Sequence, residues 1–233
     1  TALPEQVVDD VIRSAFHSAG QRCSALRVLY VQSDIADDVI EMIKGAMDEL
    51  SIGNPALLNI DVGPVIDEEA RGGLLSHCER LTKEGKLLYR LGVNDECTSG
   101  SFVTPHMFEI NSISELADEQ FGPILHVIKY NAADLDKHLD ELRETGYGLT
   151  LGVHSRIEGV AEYIFKRSLA GNTYVNRNMI GAVVGVQPFG GKGLSGTGPK
   201  AGGPLYMHRF AGERVQTINT VATGGNTDLL SLG

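Results

Sequence analysis

One cysteine near the start of the chain has neighbours that favour thiol chemistry. Cys23 follows a helix-like segment that ends at Gly20, and it stands between Arg22 and Ser24. A cationic side chain beside a thiol lowers its pKa below the free value of about 8.5. The resulting thiolate can attack an electrophilic carbon. The run therefore favours a catalytic nucleophile, and it leaves open the alternative of a buried, inert cysteine.

The segments around this cysteine alternate between helical and β-prone patterns. Apolar residues at spacings of three and four predict a helix over 4–18, and a β-prone run follows at 27–31. Further helices are predicted from Ser33, as the cap, and over 67–83, 135–144 and 157–169, with strands over 86–91, 102–110, 124–130, 149–154 and 172–175. This alternation predicts an α/β fold with a layered, mostly parallel sheet.

The bulk composition excludes several classes of protein. With 233 residues, 42% of them hydrophobic, and a net charge of −10, the chain suits a globular domain and lacks the basic surface that nucleic acid requires. No stretch approaches the roughly 18 apolar residues of a transmembrane helix, and the first residues do not form a signal peptide. Three cysteines without a C-x-x-C pair fit a reducing cytosol, so we expect a cytoplasmic protein. Metal-ligand spacings are absent, so no metal site is predicted.

Four segments, in order, resemble those of one enzyme family. The run from Phe16 to Cys23 reads F-x-x-x-G-Q-x-C, and 118–125 contains E-x-F-G-P. The segment 171–177 follows, and 187–196 ends in P-F-G-G-x-x-x-S-G. All four resemble segments of the aldehyde dehydrogenase superfamily. The resemblance implies the catalytic, cysteine-bearing domain of that fold, with flanking helices on a mostly parallel sheet.

The glycine-rich segment 191–196 matches G-x-G-x-x-G but does not suit a dinucleotide. That motif must open a helix so that the pyrophosphate meets the helix N-terminus. Here Pro188 precedes the segment, and Pro199 and Pro204 follow it, which blocks a helix. The residues leave open a surface loop or a loop that approaches a ligand closely. The resemblance implies the second, since this segment lines the aldehyde pocket in the family.

A possible anion site lies near the cysteine. The Ser24 hydroxyl and the consecutive amides of Gly181 and Ala182 could form a small nest for a carboxylate, although an ordinary glycine turn is the alternative. The surrounding sequence resembles the glutamate-semialdehyde (pyrroline-5-carboxylate) dehydrogenase branch, and within it the bifunctional proline utilization A flavoproteins. The resemblance implies that these three residues hold the substrate's α-carboxylate, and that Phe189 flanks its aliphatic chain. Without it, Phe189 could equally be a core residue.

The resemblance also implies NAD as the hydride acceptor. Glu119 would hold the nicotinamide ribose hydroxyls, and Phe121 would pack against the ribose and ring. From the residues alone, Glu119 is a solvated carboxylate before a turn. The choice between NAD and NADP stays open, because the residues that decide it precede this chain in the family.

Several family features are absent from the sequence. The general base, the oxyanion asparagine and most of the NAD-binding domain lie upstream of the cysteine in the family, whose members are about twice as long. We therefore expect a fragment: 1–210 as the catalytic domain, 211–233 as a tail that packs on a missing domain or partner, and no turnover by the chain alone. FAD would belong only to a proline dehydrogenase domain of the parent polypeptide. The family further implies a homo-oligomer and a small semialdehyde substrate.

Three other functions remain open on the sequence. The substrate could be a different semialdehyde. A cysteine hydrolase or acyltransferase would need a histidine base, and His17 lies six residues from Cys23 but is expected to face elsewhere. A non-catalytic assembly module would need neither a nucleophile nor a base. Cys78 and Cys97 are expected to be bystanders.

Overall fold

The computed structural model describes residues 1–92, 97 and 99–219 of the chain. Its helices are α1 (Pro4–Phe16), α2 (Ser33–Asp48), α3 (Glu68–Lys83), α4 (Leu135–Glu144) and α5 (Glu158–Arg167). Its strands are β1 (Val28–Gln32), β2 (Leu87–Arg90), β3 (His106–Glu109), β4 (Ile124–Tyr130), β5 (Tyr147–Gly148), β6 (Thr150–Val153), β7 (Asn172–Val175) and β8 (Lys192–Gly193). Most of the predicted tail, 220–233, lies outside the described residues.

The principal sheet has four strands in the order β1-β4-β3-β2. The pairs β1/β4 and β3/β4 are parallel, and only β2/β3 is antiparallel. A second parallel pair, β6/β7, and a short antiparallel pair, β5/β8, complete the described pairing. The prediction of an α/β fold with a mostly parallel sheet is confirmed.

Strand β4 lies at the centre of this sheet because its sequence is apolar on both faces. Ile124, Leu125, Val127 and Ile128 have no exposed surface. A continuous apolar run of this kind is typical of a strand covered on both sides, as parallel sheets are. Since β1 pairs with β4 along its full length, the central strand also fixes the position of the segment that follows Cys23.

Helix α1 brings the cysteine to the edge of the core. Its buried apolar residues recur at spacings of three and four and include Val8, Val11, Ala15 and Phe16. Phe16 is fully buried in the core cluster, so the last turn of α1 is anchored there. The loop that carries Cys23 therefore begins at a position that is fixed by the core.

Two details of the predicted elements were wrong. Ser33 does not cap α2, because β1 runs directly into the helix and Gln32 occupies the cap position without a side-chain cap. The strand predicted over 102–110 forms only at His106–Glu109, because Pro105 has no N–H with which to extend the ladder. In α3, by contrast, the Asp67 side chain accepts a hydrogen bond of 2.8 Å from the Ala70 N–H and caps the helix.

Candidate active site

The backbone before Cys23 has an unusual conformation. Ser18, Ala19 and Gly20 all have positive φ, of 57°, 51° and 63°. Residues other than glycine rarely adopt this left-handed region, and such strain tends to occur where function requires a particular geometry. The turn that results leaves Cys23 exposed, whereas Ser24 is buried.

The cysteine loop is pressed against the predicted cofactor-binding segment. A Cβ atom on Gly20 would lie 2.0 Å from the carbonyl oxygen of Gly122. A Cβ atom on Gly122 would lie 2.6 Å from both Leu74 methyl groups. Glycine is therefore required at position 20, whereas a side chain at position 122 would need the Leu74 side chain to move, and the close approach places Phe121 and Glu119 beside the loop. Sequence reasoning missed this contact, although its signal was a glycine inside each motif.

A single guanidinium joins the two segments. Arg27 donates through Nε to Glu119 Oε1 at 2.9 Å, through Nη2 to the Arg22 carbonyl at 2.9 Å, and through Nη1 to the Gly20 carbonyl. Its Cζ lies 4.5 Å from the centroid of the Phe121 ring, a cation–π distance. The Arg27 side chain is only 13% exposed, and that of Glu119 is 33% exposed. The sequence analysis assigned no role to Arg27.

Arg27 keeps its charge although it is largely buried. Burial lowers the pKa of Arg27 from its ordinary value, while the hydrogen bond and charge of Glu119 and the charge of the Cys23 thiolate oppose that effect. The group remains a cation, because a guanidinium does not lose its proton in proteins. Burial raises the pKa of the Cys78 thiol to about 12, so that cysteine is unsuited to nucleophilic chemistry.

Cys23, Arg27 and Glu119 line one cavity of about 960 Å³. Strands β1 and β6 also line it, and within the described residues each of these strands has a pairing partner on one side only. A reacting carbon at Cys23 could therefore lie in the same open cavity as the Glu119 carboxylate. The cavity is of the size that small-molecule sites typically have.

The residues present fit the ribose end of NAD. Glu119 Oε2 accepts no hydrogen bond from the described part of the chain, so it is available to a ribose hydroxyl. Phe121 is 45% exposed, and its ring offers an apolar surface beside that carboxylate. Arg27 joins Glu119 and Phe121 to the loop that carries Cys23, and their assignment to the cofactor stays a prediction.

The four residues predicted to bind the substrate do not themselves line that cavity, although the neighbours Cys23, Ala25 and Met179 do. These four residues are Ser24, Gly181, Ala182 and Phe189. Gly181 is exposed with a φ of +68°, and neither its N–H nor that of Ala182 donates to another described residue. The buried Ser24 hydroxyl likewise has no partner among 1–92, 97 and 99–219. These donors are available for an anion, and their assignment to a substrate carboxylate stays a prediction.

Two histidines support the backbone of Arg27 from within the core. His126 Nδ1 lies 2.9 Å from the Arg27 carbonyl, and its Nε2 lies 2.9 Å from His77 Nε2. Because a carbonyl can only accept, His126 carries its proton on Nδ1, and His77 must donate from Nε2. Burial holds the pKa of each ring at about 4, so both are neutral at pH 7.

Other kinds of site are not indicated in the described part of the molecule. No group of three or more histidine, cysteine or acidic side chains there is placed to hold a metal ion. None of the described helices has the length and apolar character to cross a membrane. No histidine hydrogen-bonds Cys23 in residues 1–92, 97 and 99–219, so the base that a cysteine hydrolase needs is not seen there.

Comparisons with known proteins agree with the sequence motifs and the fold. A model of the aldehyde dehydrogenase family matches residues 2–215. The bifunctional protein PutA of Klebsiella aerogenes is 52% identical over 221 residues, which are 93% of this chain and 17% of that protein. The chain belongs to the aldehyde dehydrogenase family.

Solved structures extend this result to the fold. A crystal structure of a mutant of Proline Utilization A (PutA) from Bradyrhizobium japonicum has a TM-score of 0.90 and 57% identity, over 96% of this chain and 23% of that one. A 1-pyrroline-5-carboxylate dehydrogenase from Thermus with bound NAD has a TM-score of 0.80 and 37% identity, over 90% of this chain and 40% of that one. The chain thus spans about a fifth of the length of its PutA relatives.

Proposed function

We propose that this chain is the cysteine-bearing part of an NAD-dependent dehydrogenase that oxidises L-glutamate γ-semialdehyde to glutamate in proline catabolism. The observation that carries the proposal is the juxtaposition of an exposed Cys23 with Glu119 and Phe121 across one guanidinium. The relatives named PutA and 1-pyrroline-5-carboxylate dehydrogenase support this substrate.

Cys23 is the nucleophile in this account. Its thiolate forms a C–S bond to the aldehyde carbon, and the carbonyl electron pair moves onto oxygen to give a thiohemiacetal anion. The Cys23 N–H donates to no described residue, so it is available to stabilise that oxyanion. Glu119 and Phe121 would hold the ribose and nicotinamide of NAD, which accepts the hydride when it is bound. The acyl group stays on sulfur as a thioester, which water cleaves to release the acid and restore the thiol.

The carboxylate nest would provide substrate specificity. Ser24 Oγ and the amides of Gly181 and Ala182 are neutral donors, and hydrogen bonds to a charged acceptor stabilise by about 1.5–3 kcal/mol each. An aldehyde that carries an α-carboxylate would therefore be preferred over an uncharged aldehyde of equal length. No arginine is needed, because backbone amides satisfy a carboxylate.

The test compares those two aldehydes in the complete polypeptide that carries this chain. We expect kcat/KM for glutamate semialdehyde to exceed that for the uncharged aldehyde by at least about tenfold, from one such hydrogen bond. Ser24→Ala should reduce this preference, and Ser76→Ala, on the exposed face of α3, is the matched control. Equal rates with both aldehydes would retain the dehydrogenase and refute the nest. The absence of NAD reduction with either would refute the proposed function.

A further inference from the structure

Arg27 is the residue whose contacts the proposed chemistry does not yet use. Its guanidinium forms hydrogen bonds to three different acceptors, namely the Glu119 carboxylate and the backbone carbonyls of Gly20 and Arg22. Two of these acceptors belong to the loop that carries Cys23. The third lies 92 positions away, in the segment that runs from Glu119 to Phe121.

The planar fork of an arginine makes this arrangement specific. Arginine presents five N–H donors in a fixed geometry, so that one side chain can hold several acceptors at set relative positions. A lysine would keep the charge but would lose this geometry. The Phe121 ring lies against the same guanidinium at 4.5 Å, so its place also depends on Arg27.

The backbone of Arg27 is held in place by strand β4. Its carbonyl accepts from the His126 N–H at 3.0 Å and from His126 Nδ1 at 2.9 Å, within the fully buried centre of β4. The guanidinium therefore extends from the residue directly before β1, whose backbone is hydrogen-bonded to the buried strand β4. Groups held by rigid elements are positioned with the precision that a reacting site requires.

The contact leaves Glu119 able to bind a ligand. Only Oε1 accepts from Arg27, and Oε2 has no partner in the described part of the chain. An ion pair to one oxygen orients the carboxylate and keeps the other oxygen for a hydroxyl donor. Arg27 itself is almost buried and does not need to contact the ligand.

We propose that Arg27 is a positioning residue that holds the Glu119 carboxylate and the Phe121 ring beside the Cys23 loop, and so sets the affinity of the site for the ribose and nicotinamide of NAD. This inference rests on the proposed function, since it assigns Glu119 to the cofactor. It predicts that loss of Arg27 affects NAD more than it affects the aldehyde.

The first experiment measures NAD binding by calorimetry, without turnover, in the complete polypeptide. Arg27→Gln should raise the dissociation constant for NAD by about tenfold, the loss of one charged hydrogen bond. Arg27→Lys should give an intermediate value. Arg71→Gln is the matched control, because Arg71 also bonds a carboxylate, Glu68, and a backbone carbonyl, that of Phe102, away from the site.

A double-mutant cycle separates positioning from simple loss of charge. If Arg27 acts through Glu119, the double variant with Arg27→Gln and Glu119→Gln should bind NAD about as weakly as Glu119→Gln alone. In turnover, Arg27→Gln should raise the KM for NAD and leave the KM for the aldehyde within about twofold. Additive losses, or equal changes in both KM values, would overturn the proposal.

The loop contact is tested separately on this chain, without cofactor. The rate at which iodoacetamide alkylates Cys23 should differ between Arg27→Gln and the wild type by about threefold or more. In Arg71→Gln this rate should equal that of the wild type. The melting temperature of each variant is recorded alongside. If Arg27→Gln does not fold, Arg27→Lys is tested in its place. An unchanged alkylation rate together with unchanged NAD binding would overturn the positioning role. If the wild-type polypeptide binds no NAD while the alkylation rates differ as expected, the proposed function fails and the loop contact stands.

Discussion

At the residue scale, the three cysteines differ in what surrounds them. Cys23 is exposed, whereas Cys78 and Cys97 are buried. Burial raises the pKa of Cys78 to about 12, so its thiolate is scarce at neutral pH. Reactivity of a thiol follows both exposure and thiolate fraction.

We therefore expect selective labelling of this chain by iodoacetamide at pH 7.5. Peptide mass spectrometry over time should show Cys23 alkylated at least about tenfold faster than Cys78. A difference of a single pKa unit between the two thiols would already give this ratio of thiolate fractions. Cys23→Ser should lose the fast phase. Equal, slow labelling of all three would instead favour the non-catalytic module.

A second residue-scale prediction concerns the close approach of the two motifs. Gly20→Ala forces a Cβ to within 2.0 Å of the Gly122 carbonyl at a φ of +63°, so it should lower the free energy of unfolding by about 1–3 kcal/mol. Gly45, an exposed residue in the last turn of α2, serves as the control, because a Cβ added there would meet no other atom within 4 Å. Gly45→Ala should raise stability by about 1 kcal/mol.

Urea titration followed by circular dichroism measures both variants. A Gly20→Ala chain as stable as the wild type would show that the loop and the Phe121 segment are not in contact. The sequence supplied each glycine within its motif, but their contact depends on tertiary packing across about a hundred positions. For the same reason, Arg27 carried no signal, because its partner Glu119 is far away in the chain.

At the element scale, the sequence predicts best where the apolar period is strong. The bounds of β4, α4 and β7 agree with those predicted, and β4 and α4 have a clear apolar pattern between turn residues. The pair β5/β8 was missed, since two-residue strands have no period and Tyr147 and Gly193 are separated along the chain by β6, α5 and β7. Ser33 was misassigned because a strand that continues directly into a helix has no separate cap residue.

The contact of α3 with β4 through two histidines predicts a pH dependence of stability. The pKa values of His77 and His126 are about 4 in the fold and near 6.5 in the unfolded chain. Between these values the unfolded state binds more protons, so stability is lost as the pH falls from about 6.5 to 4. At pH 7 both rings are neutral in either state, and this cost is absent.

His77→Gln tests that coupling while it keeps an N–H donor for His126. The slope of the unfolding free energy against pH, from urea titrations between pH 4.5 and 6.5, should fall by up to about 1.4 kcal/mol per pH unit, the value for one proton. His17→Gln, on the turn after α1, is the control. A variant slope equal to that of the wild type would show that His77 does not titrate as the structure indicates.

At the scale of the whole molecule, the fold was predictable as a class, whereas the arrangement around the cavity was not. The alternation of helical and β-prone patterns predicted the α/β layers. Within the described residues, β1 and β6 each pair on one side only and both line the cavity, and no pattern in their sequences indicates this. The substrate nest is the least determined part, because Gly181 and Ala182 lie in a segment without regular structure.

We expect this chain alone to show no saturable NAD reduction with glutamate semialdehyde. The chain spans only 17% of the matched PutA of Klebsiella aerogenes, and the general base and most of the cofactor contacts are expected elsewhere in a longer polypeptide. Absorbance at 340 nm measures turnover, and protection of the buried Cys78 from alkylation confirms that the sample is folded. Saturable turnover by residues 1–233 would contradict this expectation.

The most direct test of the central claim is NAD reduction by the complete polypeptide, with and without the Cys23 thiol. If Cys23 forms the covalent intermediate, Cys23→Ser should lower kcat with glutamate semialdehyde by at least about a thousandfold, as loss of a nucleophile does in other enzymes. NAD binding, measured by calorimetry, should change little. A Cys23→Ser enzyme that retains most of the wild-type kcat would contradict the account.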